Sequence, residues 1–382
     1  MNQSSEVLLK LLRIALGNES DCSLPSCVNW REVIDLSFEQ GVAAIAVDGL
    51  QRIYDRLEVS GERLACLEDL DSPELEDLKY EWFGEVMNCE QDYGNYEAAI
   101  ERLACLYNGV GLMMMVLKGY GLSRNYPVPS HRPTGDIDIF LTEGSRGSNG
   151  SRVQEAWKRG DEAVTKEWGV EVDYANPHHS TFCVDGYLVE NHISFLNNYS
   201  HKDNEDVERK LVSMVEGCKN RYRVGKGTII LPSVQFNALY LLRHSSSHFT
   251  TEKLSLRQLL DWALFVDKYS HEIDWTQLWM DAKEANMHRF LACLNRMCVE
   301  YLGFDEGKFP FAAEAKDLHK RVMEDILHPE FDEEIPPRSR LLRYSIAKTR
   351  RLWTNRWKYA MVYNEPLWKT FWNLALNRAK NG

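Results

Sequence analysis

Apolar side chains recur at helical spacing through the first hundred or so residues. They then switch to short runs and alternations between 111 and 200, and return to helical spacing after Pro232. In the first part, Trp82, Val86, Cys89 and Tyr93 form one stripe, continued by Tyr96, Ile100, Leu103 and Tyr107. Ser72-Pro73-Glu74 predicts where this helix starts, with Ser72 as N-cap and Pro73 in the first position. Leucines and isoleucines at helical spacing from Met1 to Gly17 predict another helix, and Lys10 and Arg13 interrupt its apolar character.

The middle of the chain reads as strands. Leu112 to Leu117 is a short apolar run bounded by Gly111 and Lys118-Gly119, the pattern of a buried strand in which the methionines fill core space. A loop with Pro127, Pro129 and Pro133 follows. Next comes Gly135-Asp136-Ile137-Asp138-Ile139-Phe140, alternating as a half-buried strand does. The Gly- and Ser-rich stretch 142–151 predicts a mobile loop, and 152–168 a helix. Asp185-Gly186 lies between two β-prone runs, a strong signal for a hairpin with a type I′ turn. On its second arm Leu188, Glu190 and His192 share one face.

Beyond Pro232, residues 233–249 predict a helix with Phe236, Leu239 and Leu242 packing and Asn237, Tyr240, His244 and His248 on a polar stripe. Residues 253–268 predict another, with Arg257 and Asp261 one turn apart as an internal ion pair. From Arg338 to the last residue there are eleven Lys/Arg and one acidic residue, with Trp353, Trp357, Trp368 and Trp372 among them. Such a tail can bind RNA through phosphates and stacking, touch a membrane surface, or dock on the acidic body. Docking is the reading adopted.

Composition narrows the class. The 382 residues are 44% hydrophobic, enough for two or three domains with substantial cores. A net charge of −12 argues against broad non-specific nucleic-acid binding, the basic tail excepted. Nine scattered cysteines without a Cys-x-x-Cys argue against a disulfide framework or zinc ribbon and for a reducing compartment. No apolar run is long enough to span a bilayer and the N-terminus lacks signal-peptide features, so a cytoplasmic protein is expected.

The chemistry concentrates at Asp136 and Asp138. Two residues apart on a strand, they project to one face roughly 7 Å apart at their Cα atoms. That spacing suits one divalent ion, or two ions about 4 Å apart. A solvated strand edge is the competing reading. Ile137, Ile139 and Leu141 face the other way, into a core. Gly-x-Gly-x-x-Gly, Walker A and His-Glu-x-x-His motifs are absent.

Taken together, residues 116–140 and 187–192 resemble the DNA polymerase beta-like nucleotidyltransferase superfamily. There a strand ends in a glycine turn, the next strand carries Asp-x-Asp, and a later strand supplies a third carboxylate. More narrowly, Leu117-Lys118-Gly119, Tyr126-Pro127, Arg132-Pro133 and Gly135-Asp136-Ile137-Asp138 look like a family of uncharacterised bacterial nucleotidyltransferases. Glu190 with His192, then His248, Arg257 and Asp261, extend the resemblance over about 110–265. The Lys118-Gly119 turn departs from the superfamily's usual Gly-Ser or Gly-Gly, as the narrower family does.

The resemblance implies an α+β fold: a helical N-terminal region (1–110), a small mixed β-sheet nucleotidyltransferase core (111–230), and a helical C-terminal region with the basic tail (231–382). It implies Mg²⁺-dependent transfer of a nucleoside monophosphate from an NTP to a hydroxyl acceptor (a small molecule, a protein or RNA) with release of pyrophosphate. Two Mg²⁺ ions, with Mn²⁺ as a substitute, are expected on Asp136, Asp138 and Glu190. Nucleotide contacts are expected from Lys118, Gly119, Arg132, Gly135, His192 and His248. Four of them have an alternative. Lys118 can be plain surface, Arg132 can pair with Asp136 or Asp138, and His192 can be a hydrogen-bonded structural histidine. His244 and His248, at i and i+4, have the spacing of a helical metal pair but lack a third zinc ligand. They are expected instead to line the cleft or to fill a helix contact. The alternative for the whole chain is a non-catalytic nucleotide- or RNA-binding protein that retains this fold.

Overall fold

The computed structural model describes residues 1–61, 63–143, 150–196, 202–251, 253–331, 335–337 and 340–363. Most of the predicted loop at 142–151, and Trp368 and Trp372 of the tail, lie outside the described residues. The architecture is α+β: one six-stranded mixed sheet flanked by helices on both sides in sequence.

Five helices precede the sheet: α1 (Gln3–Leu16), α2 (Trp30–Glu39), α3 (Ala43–Ser60), α4 (Ala65–Leu70) and α5 (Glu76–Gly109). Helix α5 starts later than Ser72-Pro73 predicts. Its N-cap position is Leu75, and Ser72 instead accepts the Leu75 N–H through its carbonyl in a turn ahead of the helix. Most of the expected apolar stripe is buried, Trp82, Cys89, Tyr96, Ile100, Leu103 and Tyr107, while Val86 and Tyr93 are half-buried.

The strands are β1 (Met113–Val116), β2 (Ile137–Thr142), β3 (His179–Val184), β4 (Tyr187–His192), β5 (Asn220–Val224) and β6 (Gly227–Leu231), in the order β3-β4-β2-β1-β6-β5. The central β2 runs antiparallel to β1 and parallel to β4. Asp185 and Gly186 both have positive φ, 52° and 90°, which is what a type I′ turn demands, so the β3–β4 hairpin closes on two residues. Between strands lie α6 (Tyr120–Ser123), α7 (Gly150–Trp168) and α8 (Lys202–Met214).

Side-chain alternation along β2 divides the interior in two. Ile137, Ile139 and Leu141 join Ile100, Leu103 and Tyr107 of α5 and Ala156 and Val164 of α7 in one core. Phe140 joins the larger core on the opposite side, shared by Phe195, Phe236 and Tyr240 and continuous with Leu8, Trp30 and Val33 near the N-terminus. Helices α9 (Val234–Thr251), α10 (Leu256–Tyr269), α11 (Trp275–Glu284), α12 (His288–Leu302) and α13 (Leu318–Leu327) contribute to that larger core, as do α1, α2 and α3. A capping box, in which Ser255 and Gln258 each satisfy the other's backbone N–H, starts α10.

The basic tail begins with α14 (Leu341–Thr354) and α15 (Arg356–Val362). Its described part docks on the body. Tyr359, Met361 and Val362 enter the larger core, and Lys358 Nζ meets Asp325 at 2.5 Å with both side chains 3% exposed. Arg321 lies 4.0 Å over the Trp357 ring. Among the described residues no helix is long and apolar enough to cross a membrane.

Candidate active site

Two neighbouring strands, β2 and β4, bring the acidic groups together. Parallel pairing of β2 with β4 sets Asp138 directly opposite Glu190. Asp136 sits one residue before β2 and is exposed, whereas the Asp138 side chain is only 5% exposed. Burial together with Glu190 and Asp138 raises the Asp136 carboxyl above its ordinary range, the result expected of crowded like charges.

Asp138 carries two cationic partners. Lys118 Nζ lies 2.8 Å from its Oδ1, and His192 Nε2 3.1 Å from the same atom. Burial works against ionisation of Asp138, but Lys118 and His192 outweigh it and hold the carboxyl well below its usual range. Lys118 is therefore not plain surface. His192 Nε2 also lies 3.3 Å from Glu190 Oε2, and its Nδ1 faces the Ser194 carbonyl at 3.2 Å. Burial would lower the imidazole pKa, yet the bonds to Asp138 and Glu190 push it up to about 9. At neutral pH this ring is an imidazolium that donates from both nitrogens.

The turn between β1 and α6 is built around Gly119. Its φ of 47° is a left-handed value, and a Cβ there would lie 2.6 Å from the Tyr96 hydroxyl. That hydroxyl donates to the Asp136 carbonyl at 3.1 Å, so α5 supports both sides of the cleft mouth. Gly135, by contrast, has open space where a Cβ would go.

The proline loop is anchored by side chains far apart in sequence. Arg132 donates through Nε and Nη2 to the two oxygens of Asp261, at 2.8 and 2.9 Å, and through Nη1 to the Pro133 carbonyl at 3.1 Å. The Tyr126 hydroxyl adds a bond to Asp261 at 2.8 Å. His131 reaches Asp48 of α3 at 2.7 Å. These contacts correct two expectations. Arg132 pairs with neither Asp136 nor Asp138, and Asp261 takes Arg132 instead of Arg257 one turn away.

Arg257 is thereby left facing the cleft. Its stem lies over Gly41, its backbone N–H donates to the Gln40 carbonyl, and among the described residues no carboxylate pairs with its guanidinium. Burial, then the nearby Arg132, lower its pKa from the ordinary arginine value. The cleft has about 240 Å³ of free volume. Lys118, Gly119, Arg132, Gly135, Asp136 and Asp138 line one side, and His244, His248, Arg257 and Gln258 the other. Burial, then Lys118, keep His244 well below its ordinary pKa, so it is neutral. Its ring stacks on Tyr240 and meets His248 edge-on at 4.4 Å between centroids. The predicted polar stripe is split. His244 and His248 line this cleft, while Asn237 lines a second cavity.

Two residues escaped the reading of the sequence. Arg257 was assigned to an ion pair, and His179 received no role. His179 opens β3 and pairs directly across from His192, with its Nδ1 3.6 Å from Glu190 Oε2. The hairpin register contained this information: counting back from a two-residue turn pairs 184 with 187 and, five steps on, 179 with 192.

No curated protein and no solved structure matches the chain. One family does, over residues 26–303, nearly three quarters of the chain and the whole of the sheet, the cleft and α9–α12: with its paired carboxylates at the mouth of a mixed sheet, the chain belongs to the uncharacterised nucleotidyltransferase family.

Proposed function

We propose that the cleft transfers a nucleoside monophosphate from an NTP to a hydroxyl acceptor, releasing pyrophosphate, with Asp136, Asp138 and Glu190 holding two divalent ions, Mg²⁺ in the first instance. The observation that carries this reading is the β2–β4 register. It sets Asp138 against Glu190, with Asp136 exposed at the same mouth. The donor set fits the ions. It is oxygen-rich, as Mg²⁺ prefers, and the Asp136 carboxyl is raised by burial and then by the neighbouring carboxylates, whose repulsion a cation would relieve. Bound there, divalent ions supply charge neutralisation for the pyrophosphate and a lowered pKa for the acceptor hydroxyl.

The chain's own groups do the rest. Lys118 and His192 compensate Asp138 in the ligand-free state and must yield at Oδ1 when it binds an ion. Lys118 lines the cleft, so its ammonium then turns to phosphate oxygens. Arg257, whose guanidinium has no carboxylate partner among the described residues, is the main polyphosphate contact, in the place first expected of Arg132. Arg132 acts on the site through Asp261 by holding the loop that delivers Gly135 and Asp136. His244 and His248 face the same space, as hydrogen-bonding groups or as stacking surface for a base.

The test is pyrophosphate release from each of the four NTPs with Mg²⁺ and a lysate fraction as acceptor source. Release that Asp138→Asn abolishes supports the reading. NTP binding without release supports the non-catalytic alternative.

A further inference from the structure

The side of the centre away from Asp136 has a different chemistry. His179 on β3, and Glu190 and His192 on β4, present Nδ1, Oε2 and Nε2 within 4.8 Å of one another. The antiparallel register explains the grouping: His179 pairs with His192, and Glu190 lies two residues along the same strand face. The separations are 3.6 Å between His179 Nδ1 and Glu190 Oε2, and 3.3 Å between Glu190 Oε2 and His192 Nε2. Adjacent donors around an ion with bonds of ~2.0–2.2 Å lie ~2.9–3.5 Å apart, so these atoms stand near the spacing of a first coordination shell.

The aim of His192 is set from outside the group. Its Nδ1 donates to the Ser194 carbonyl at 3.2 Å, which directs Nε2 toward the carboxylates. A backbone carbonyl on the far nitrogen is the usual way a ligating imidazole is oriented. The His179 side chain is 14% exposed and that of Glu190 21%, so an ion can reach the group from solvent.

We infer that His179, Glu190 and His192 form a mixed nitrogen–oxygen site for a first-row divalent transition ion, selective over Mg²⁺ and sharing Glu190 with the centre proposed above; the ion takes the place of the Nε2 proton of His192, which is released to solvent. Two imidazoles and one carboxylate with an open position make a recurring set for zinc, and imidazole nitrogen also suits the other late first-row ions. Mg²⁺ favours oxygen ligands and gives up its waters reluctantly, which makes it a poor competitor here. This inference requires no turnover and stands apart from the nucleotidyl-transfer reading.

Purified full-length protein stripped with chelator would be titrated with Zn²⁺, Mn²⁺ and Mg²⁺ in a competition assay, and with Co²⁺ by visible absorption. The wild type is expected to bind Zn²⁺ far more tightly than Mg²⁺, and Co²⁺ is expected to give an intensified d–d band. His179→Ala is expected to weaken Zn²⁺ by ~100-fold and leave Mg²⁺ unchanged, whereas Asp136→Asn is expected to keep the Zn²⁺ affinity. Zn²⁺ affinity identical in wild type and a folded His179→Ala overturns the inference. So does a Co²⁺ spectrum no stronger than that of the aqueous ion, an outcome that depends on no variant. Transfer activity without Zn²⁺ affinity refutes the site and leaves the proposed function standing; Zn²⁺ affinity without transfer does the reverse.

Discussion

At the scale of single residues, the decisive feature is which cation pairs with which carboxylate. Asp261 could have paired with Arg257 on its own helix or with Arg132 from a loop 129 positions earlier, and it takes Arg132 in a bidentate pair. Arg132→Ala leaves Asp261 buried with only the Tyr126 hydroxyl, and is expected to cost about 3–5 kcal/mol of stability, read from urea midpoints. Arg257→Ala removes a group without an ion-pair partner. It is expected to leave the urea midpoint within about 0.5 kcal/mol of wild type and weaken NTP binding by ~10–100-fold in equilibrium titration. Equal stability loss in the two variants contradicts this division of labour.

A second prediction at this scale concerns pH. The folded pKa of His192, about 9, lies above the ordinary histidine value of ~6.5. In the ion-free protein its stabilising contribution is complete below ~6.5 and is lost as pH rises through about 9. The stability difference between wild type and His192→Gln should therefore be larger at pH 6 than at pH 9.5, measured in chelator. A difference that grows with pH contradicts the assignment. The site was partly legible at this scale. Asp136, Asp138, Glu190 and His192 stand out because strand alternation fixes which residues share a face. The Arg132–Asp261 pair did not, because it joins a loop to a helix and nothing local encodes it.

At the scale of elements, the hairpin and the glycine turn position the chemistry. Asp185-Gly186 encodes a two-residue turn, and that turn sets every pairing between β3 and β4, including His179 with His192. The β-prone run reads from Ser180, one residue after the observed start of β3, which left His179 in the loop ahead of the hairpin without a role. The start of α5 was misread for a related reason: Ser-Pro fits a turn as well as a helix start, and here a turn precedes the helix. Gly119→Ala combines a left-handed backbone with a Cβ placed against the Tyr96 hydroxyl. It is expected to destabilise the protein by about 1–3 kcal/mol in thermal melts and to displace the β1–α6 turn, lowering transfer activity beyond the stability loss. Unchanged activity would mean the turn does not contact nucleotide.

For the whole molecule, the sheet lies between two cores, and α5 contributes to both: Trp82 to the larger and Tyr96 to Tyr107 to the smaller. The larger core draws on residues from Val7 to Tyr363, so the helices at either end of the sequence support one cleft. The strand order was not legible, since parallel pairing of β2 with β4 depends on α7 crossing between them. The basic tail was legible in outline: docking on the body is the reading its sequence favours, and its described part is held by apolar burial and by the Lys358–Asp325 pair. Lys358→Ala is expected to destabilise the protein by about 3–5 kcal/mol by stranding Asp325, measured by denaturant unfolding.

The most direct test of the central claim is pyrophosphate release from radiolabelled NTPs with Mg²⁺ and a lysate acceptor fraction, beside Asp136→Asn and Asp138→Asn. The account predicts release with one or more of the four NTPs, transfer of label to an acceptor, and loss of both in either variant. Release that persists in both variants, or the absence of both NTP binding and release in the wild type, contradicts it.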